Sequence, residues 1–324
     1  MNHQKTMLVA VLSTILILGS TCLAFGQATA AGLNYEKIAL LKWYAAYQAG
    51  TAFNTELMPY GLAFDGANIW AVSDTCCPGV VAKVRASDGT MLAFYNVGNN
   101  PQYVAFDGAN IWVTNTGDNT VSKLRASDGT TLGTFNVGNV PEGIAFDGTN
   151  VWVANNGGNT VTKLRASDGA NLGTFTVGVQ PEGVAFDGTD IWVTNNGSNN
   201  VTELRASDGT NLGTFGVGSF PRGVAFDGAT IWVANYHSSN VTRLRASDGS
   251  NLGTFNVGTN PFGVAFDGTS VWVTNSGSGN VTKLRSSDGT NQGTFNVGHA
   301  PFGAAFDAAD IWVANLLDHT LSKL

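Results

Sequence analysis

Charge is scarce in this chain. Charged residues make up 12% of 324, and the formal balance is −7. An acidic surface does not neutralise a phosphate backbone, so nucleic acid is excluded as a partner. No Gly-rich loop joins a strand to a helix, and no Ser/His/Asp or Cys/His set is arranged for nucleophilic catalysis. Long apolar runs are missing too. The longest, Met7 to Leu18, is short for a membrane span. With 43% hydrophobic residues the chain is nonetheless globular rather than disordered.

What the chain has in abundance is glycine, 41 residues, and a repeat. Pro-x-Gly-(Val/Ile)-Ala-Phe-Asp-Gly, with local variation, begins at Pro101, Pro141, Pro181, Pro221, Pro261 and Pro301. Pro59 opens a first unit two residues longer. Each unit carries one tryptophan, from Trp70 to Trp312, then a Val-Thr-Lys-Leu-Arg-Ala-Ser-Asp-Gly type run and a Gly-Thr-Phe run. Four short β-branched and aromatic runs per unit, punctuated by Asp-Gly turns, predict a four-stranded antiparallel meander. Such a sheet buries both faces only against its neighbours, and radial stacking gives a propeller.

The chain ends fix the blade number. The seventh unit stops at Leu324 without a fourth strand. Gly50-Thr51-Ala52-Phe53 matches that missing strand, since Phe53 precedes Pro59 as Phe135 precedes Pro141. The predicted fold is therefore all-β: a seven-bladed propeller over 51–324, closed by a strand at about 50–56. Residues 1–30 read as a signal peptide, with Lys5, the apolar run and a small-residue site at Ala28-Thr29-Ala30. An uncleaved anchor is the alternative, and Gly19-Ser20-Thr21 fits poorly with lipid attachment at Cys22. Residues 31–50 hold one short helix, about 34–48, with Asn34 as N-cap and Gly50 as stop. A secreted, periplasmic or cell-surface monomer with no transmembrane domain after cleavage is expected. The adjacent Cys76 and Cys77 fit a vicinal disulfide, an interchain bond or free thiols.

Ile191-Trp192-Val193-Thr194-Asn195, Asn200-Val201-Thr202 and Val217-Gly218 with Pro221-x-Gly223 resemble the bacterial YVTN-type propeller repeat. The chain is also similar to NHL-type and virginiamycin B lyase-like propellers. The latter resemblance implies a metal-assisted elimination site with histidines between Pro and Gly and a Glu ending the second strand. Here those positions hold Arg222, Phe262 and Phe302, and Asn275 and Asn315. The resemblance therefore carries the fold and not the lyase chemistry.

The seven copies also serve as each other's reference. The turns after strands one and three share one face of the disc and barely vary; their Asp and Arg residues, such as Asp147 and Arg165, read as turn formers and ion pairs. The opposite face holds the individuality. Between Pro and Gly the residues run Tyr60, Gln102, Glu142, Glu182, Arg222, Phe262, Phe302, near the channel mouth. Leu316, Leu317, Phe220, Tyr236 and the three later histidines lie on the same face. Tyr60, Phe262, Phe302, Leu316 and Leu317 are expected to form an apolar arc on the rim. That arc points to a face binding a protein, glycan or small-molecule ligand. No catalytic residue and no cofactor is assigned. A divalent cation between Glu142 and Glu182, or a transition metal on His299, Asp318 and His319, is a weaker option. The competing classes are a metal-assisted lyase or hydrolase at the channel mouth and a structural cell-envelope repeat.

Overall fold

The computed structural model describes residues 51–55, 57–73 and 78–324. The expected signal peptide, the helix and the Cys76–Cys77 pair lie outside them. Seven sheets of four antiparallel strands follow the repeat. Blade three is representative, with strands Pro141–Phe146, Asn150–Asn155, Thr160–Arg165 and Asn171–Thr176. No helix among the described residues is long and apolar enough to cross a membrane.

Closure is built as the chain ends predict. Thr51–Asn54 pairs antiparallel with Thr320–Lys323, Phe53 lying opposite Leu321. Thr55 continues the strand by donating its backbone N–H and its hydroxyl to the His319 carbonyl, each at 2.9 Å. Phe53 stacks on Trp312 with ring centroids 5.3 Å apart. Phe135 takes the same place on Trp112 at 5.5 Å.

That stacking belongs to a cassette present in every blade. The indole N–H of Trp152 donates to Asp147 at 2.7 Å, and the other six Trp–Asp pairs match it. The second Asp147 oxygen accepts the backbone N–H groups of Thr149 and Asn150. The recurring Asp therefore folds its own turn and satisfies a buried indole at once. Burial pushes the Asp107 carboxyl up, but bonds from Trp112, Asn110 and Ala109 outweigh it and leave its pKa below the ordinary value. The Arg–Asp pairs of the next turn, such as Arg165–Asp168 at 2.8 Å, are half-exposed, and solvent screening leaves them little weight in stability.

Two contacts cross from blade to blade. Lys123 lies 5.0 Å from the Trp112 ring centroid and donates to the carbonyls of Ala166 and Ser167 in the next blade. Phe135 covers Gly169 of the same turn, which sits at φ +76°, so a Cβ there would run into the ring. Glycine meets both demands. The closing strand repeats this, with Phe53 against Gly89 and Lys323 donating to Ala86.

Phe53→Ala should therefore destabilise the propeller by about 2–4 kcal/mol, near the low end for a large-to-small change because the ring is only partly buried. Chemical denaturation against an exposed Thr51→Ala control checks it. Equal midpoints for the two variants would show that blade seven does not depend on the closing strand.

Candidate functional site

The channel mouth is shaped by a backbone irregularity. In every blade the pairing of strands one and two slips between the Pro and the residue three on, as between Pro141 and Ile144. The bulge spans the x and Gly positions and re-aims the x side chain. The glycine is required by crowding: a Cβ on Gly143, Gly183 or Gly223 would collide with the carbonyl of residue x in the next blade. The innermost strands of the six blades with glycine here therefore stand as close as glycine permits, while blade two carries Tyr103. The space they enclose is a channel of about 160 Å³.

In this ring Tyr60, Phe262 and Phe302 meet each other, and Arg222 joins Phe262 to Glu182. Phe262 and Phe302 have centroids 4.3 Å apart, Tyr60 lies 4.9 Å from Phe302, and Tyr103 lies 5.6 Å from Tyr60. Leu316 and Tyr236 pack against the same cluster. The apolar arc is thus present, but it faces inward: Phe262 is 3% exposed and Tyr60 8%. Rings that start from a rim position converge on one axis and bury each other, which corrects the expected exposed patch. Leu317 stands apart at 62% exposure.

The other side of the ring is polar and paired. Arg222 reaches Glu182 of the preceding blade at 2.6 Å, and the same oxygen accepts the Tyr103 hydroxyl at 3.1 Å. Asn196 donates to the second oxygen at 2.7 Å. The Arg222 guanidinium lies 4.9 Å from the Tyr236 and Phe262 rings and 5.1 Å from Phe220. Burial works against its charge, but Glu182 and the two neighbouring tyrosines outweigh that and raise its pKa. Burial first, then Glu182, holds the Tyr103 phenol well above its ordinary pKa, so it stays a hydrogen-bond donor. Glu142 lies close enough to act on the same phenol, and Gln102 is partly buried at its own bulge.

Outside the ring, two loops join above Arg222. The backbone N–H groups of Tyr236 and His237 donate to Phe220 and Ser219. Phe220, held at φ +57°, stacks on exposed His237 at 4.6 Å. On the blade-seven loop the Nδ1–H of His299 donates to the Asp318 carboxylate at 2.8 Å. His319 occupies a left-handed turn position, φ +59°. Asn275 and Asn315 are fully buried and donate to side chains of their own blades, Thr282 and Ser322 among them. Sequence reasoning passed over Tyr103, although a tyrosine where six blades have glycine was a visible signal.

No family model and no curated protein matches this chain. Among solved structures it is similar to a streptogramin B lyase, with TM-score 0.71 and 18% identity over 84% of this chain and 96% of that one. It is also similar to the hydrazine synthase of Kuenenia stuttgartiensis, with TM-score 0.74 and 19% identity over 85% and 97%. What the chain shares with both is the fold, a seven-bladed β-propeller.

Arg222→Met leaves the buried Glu182 carboxylate without its counter-charge and should cost about 3–5 kcal/mol. Adding Glu182→Gln should recover most of that loss. A double-mutant cycle in urea measures the coupling, and additive losses would mean that the pair is not one unit.

Proposed function

We propose that this chain is an exported binding module that takes a protein, glycan or small-molecule ligand through the variable face of its disc. Export rests on residues 1–30, and recognition rests on blade five. The observation that carries the reading is the stack of half-buried Phe220 on exposed His237, with a partly exposed guanidinium against the Phe220 ring. Rigid rings over a fixed charge suit a ligand with an apolar or aromatic anchor, and such sites supply a large share of binding energy.

The lyase-like fold makes elimination on a small substrate the competing reading. Against it, two of the positions where lyase-like propellers carry histidine hold Phe262 and Phe302, which pack on each other and fill the mouth. The third holds Arg222, committed to Glu182. The Glu182 carboxylate is itself fully engaged by Arg222, Tyr103 and Asn196, which speaks against its holding a cation.

Fluorescence titration with short peptides, oligosaccharides and small cyclic esters, each with and without divalent metal, tests both readings. Phe220→Ser combined with His237→Ala should weaken binding by about tenfold or more with an unchanged melt. Undiminished binding by this variant would remove blade five from the site. Metal-dependent product formation from an ester would replace the binding module with an enzyme.

A further inference from the structure

Blade four breaks the blade-to-blade latch. The latch position holds Lys83, Lys123, Lys163, Arg243, Lys283 and Lys323 in six blades, each lying over its tryptophan. Lys163 also donates to Ala206 and Ser207, as Lys83 does to Ala126 and Ser127. In blade four the residue is Glu203. The equivalent carbonyls, those of Ala246 and Ser247, have no ammonium at that position. A second change accompanies the first: the residue that is Asn68, Asn110 and Asn150 in blades one to three is Asp190.

The outcome is three carboxylates without a cation. One oxygen each from Asp187, Asp190 and Glu203 lies within 4.8 Å of the others. Glu203 is 8% exposed, and among the described residues it has no hydrogen bond or ion pair. One Asp190 oxygen is buried and likewise without a hydrogen-bond partner. The nearest cation acting on Asp190 is Arg205, which is paired with Asp208. Asp187 retains its bond from the Trp192 indole at 2.8 Å. Three carboxylates this close, with Glu203 so little exposed and one buried, unpartnered Asp190 oxygen among them, repel one another unless a metal joins them.

We propose that Asp187, Asp190 and Glu203 form a binding site for a hard divalent cation, Ca²⁺ in the first place, which occupies the position that a lysine ammonium fills in the other blades. All-oxygen donors at this spacing suit Ca²⁺, whose ligands stand at about 2.3–2.6 Å. The Ala246 and Ser247 carbonyls are further donors at the latch position. The site lies on the turn face of the disc, opposite the channel mouth, and is independent of ligand binding there. The ion would restore the missing link between blades four and five.

The test uses the purified chain in EDTA, Ca²⁺, Mg²⁺ or Mn²⁺, with melting temperature as one readout and Tb³⁺ luminescence sensitised by tryptophan as the other. Ca²⁺ at a hundredfold excess over its dissociation constant should raise the wild-type melting temperature by roughly 5 °C or more over its value in EDTA. Trp192 should sensitise bound Tb³⁺, and Ca²⁺ should displace it. Glu203→Lys and Asp190→Asn restore residues already tolerated in sister blades, so both variants should fold. Glu203→Lys should lose the Ca²⁺ shift and the Tb³⁺ signal together, while Asp190→Asn should weaken Ca²⁺ binding at least tenfold. A wild-type melt indifferent to all three metals would overturn the site, as would a full Ca²⁺ response in Glu203→Lys.

Discussion

Everything in this molecule depends on how a blade's tryptophan is enclosed. The indole is tied by its N–H to the Asp of its own turn, covered by the fourth-strand Phe, and topped by a Lys that reaches into the next blade. No single sheet can build this enclosure, because the Phe also needs the Asp-Gly turn of its neighbour. Each unit is therefore completed only by the following one, and the series ends only when the last unit meets the first. The N-terminal strand supplies Phe53 for that purpose. Ring closure follows from the enclosure of one side chain.

Closing seven such units has a consequence at the axis. The innermost strands approach until only glycine fits, and the bulge beside each glycine turns the preceding side chain toward the mouth. Seven unlike residues are thereby forced into one small space and must suit each other. The apolar members fuse into a ring cluster around Tyr60, Phe262 and Phe302. The charged members form an ion pair, with Tyr103 reaching across two blades to join it. Tyr103 stands where the other six blades have glycine and keeps the backbone bond to a strand-two threonine that Gly183 and Gly263 also make.

The fold was legible in the sequence because the repeat compares itself with itself. Strand count, turn positions and the Phe53 closure all came from spacing, and spacing is what β-structure obeys. The mouth was legible as a list of residues and not as a set of contacts. That Phe262 and Phe302 would be buried depends on convergence toward an axis, which a linear reading does not represent. The pairing of Arg222 with Glu182, 40 residues apart, depends equally on which neighbour each bulge faces. Glu203 was legible in the plain sense that it departs from six cations. It was passed over because the turn face looked invariant.

Departures from the repeat carry more information when they come in matched groups. A single charged substitution in a buried register position leaves an unsatisfied group and is selected against. Glu182 is accompanied by Arg222, Asn196 and the exceptional Tyr103, drawn from three blades, and together they satisfy both of its carboxylate oxygens. Such a set cannot accumulate one residue at a time by neutral drift without passing through poorly paired intermediates. The Glu182–Arg222 ion pair of the mouth belongs to one sector, blades four and five, and Tyr103 of blade two joins it. In that sector the mouth joins the surface rings of Phe220 and His237, so the matched buried set and the exposed aromatic surface form one continuous structure.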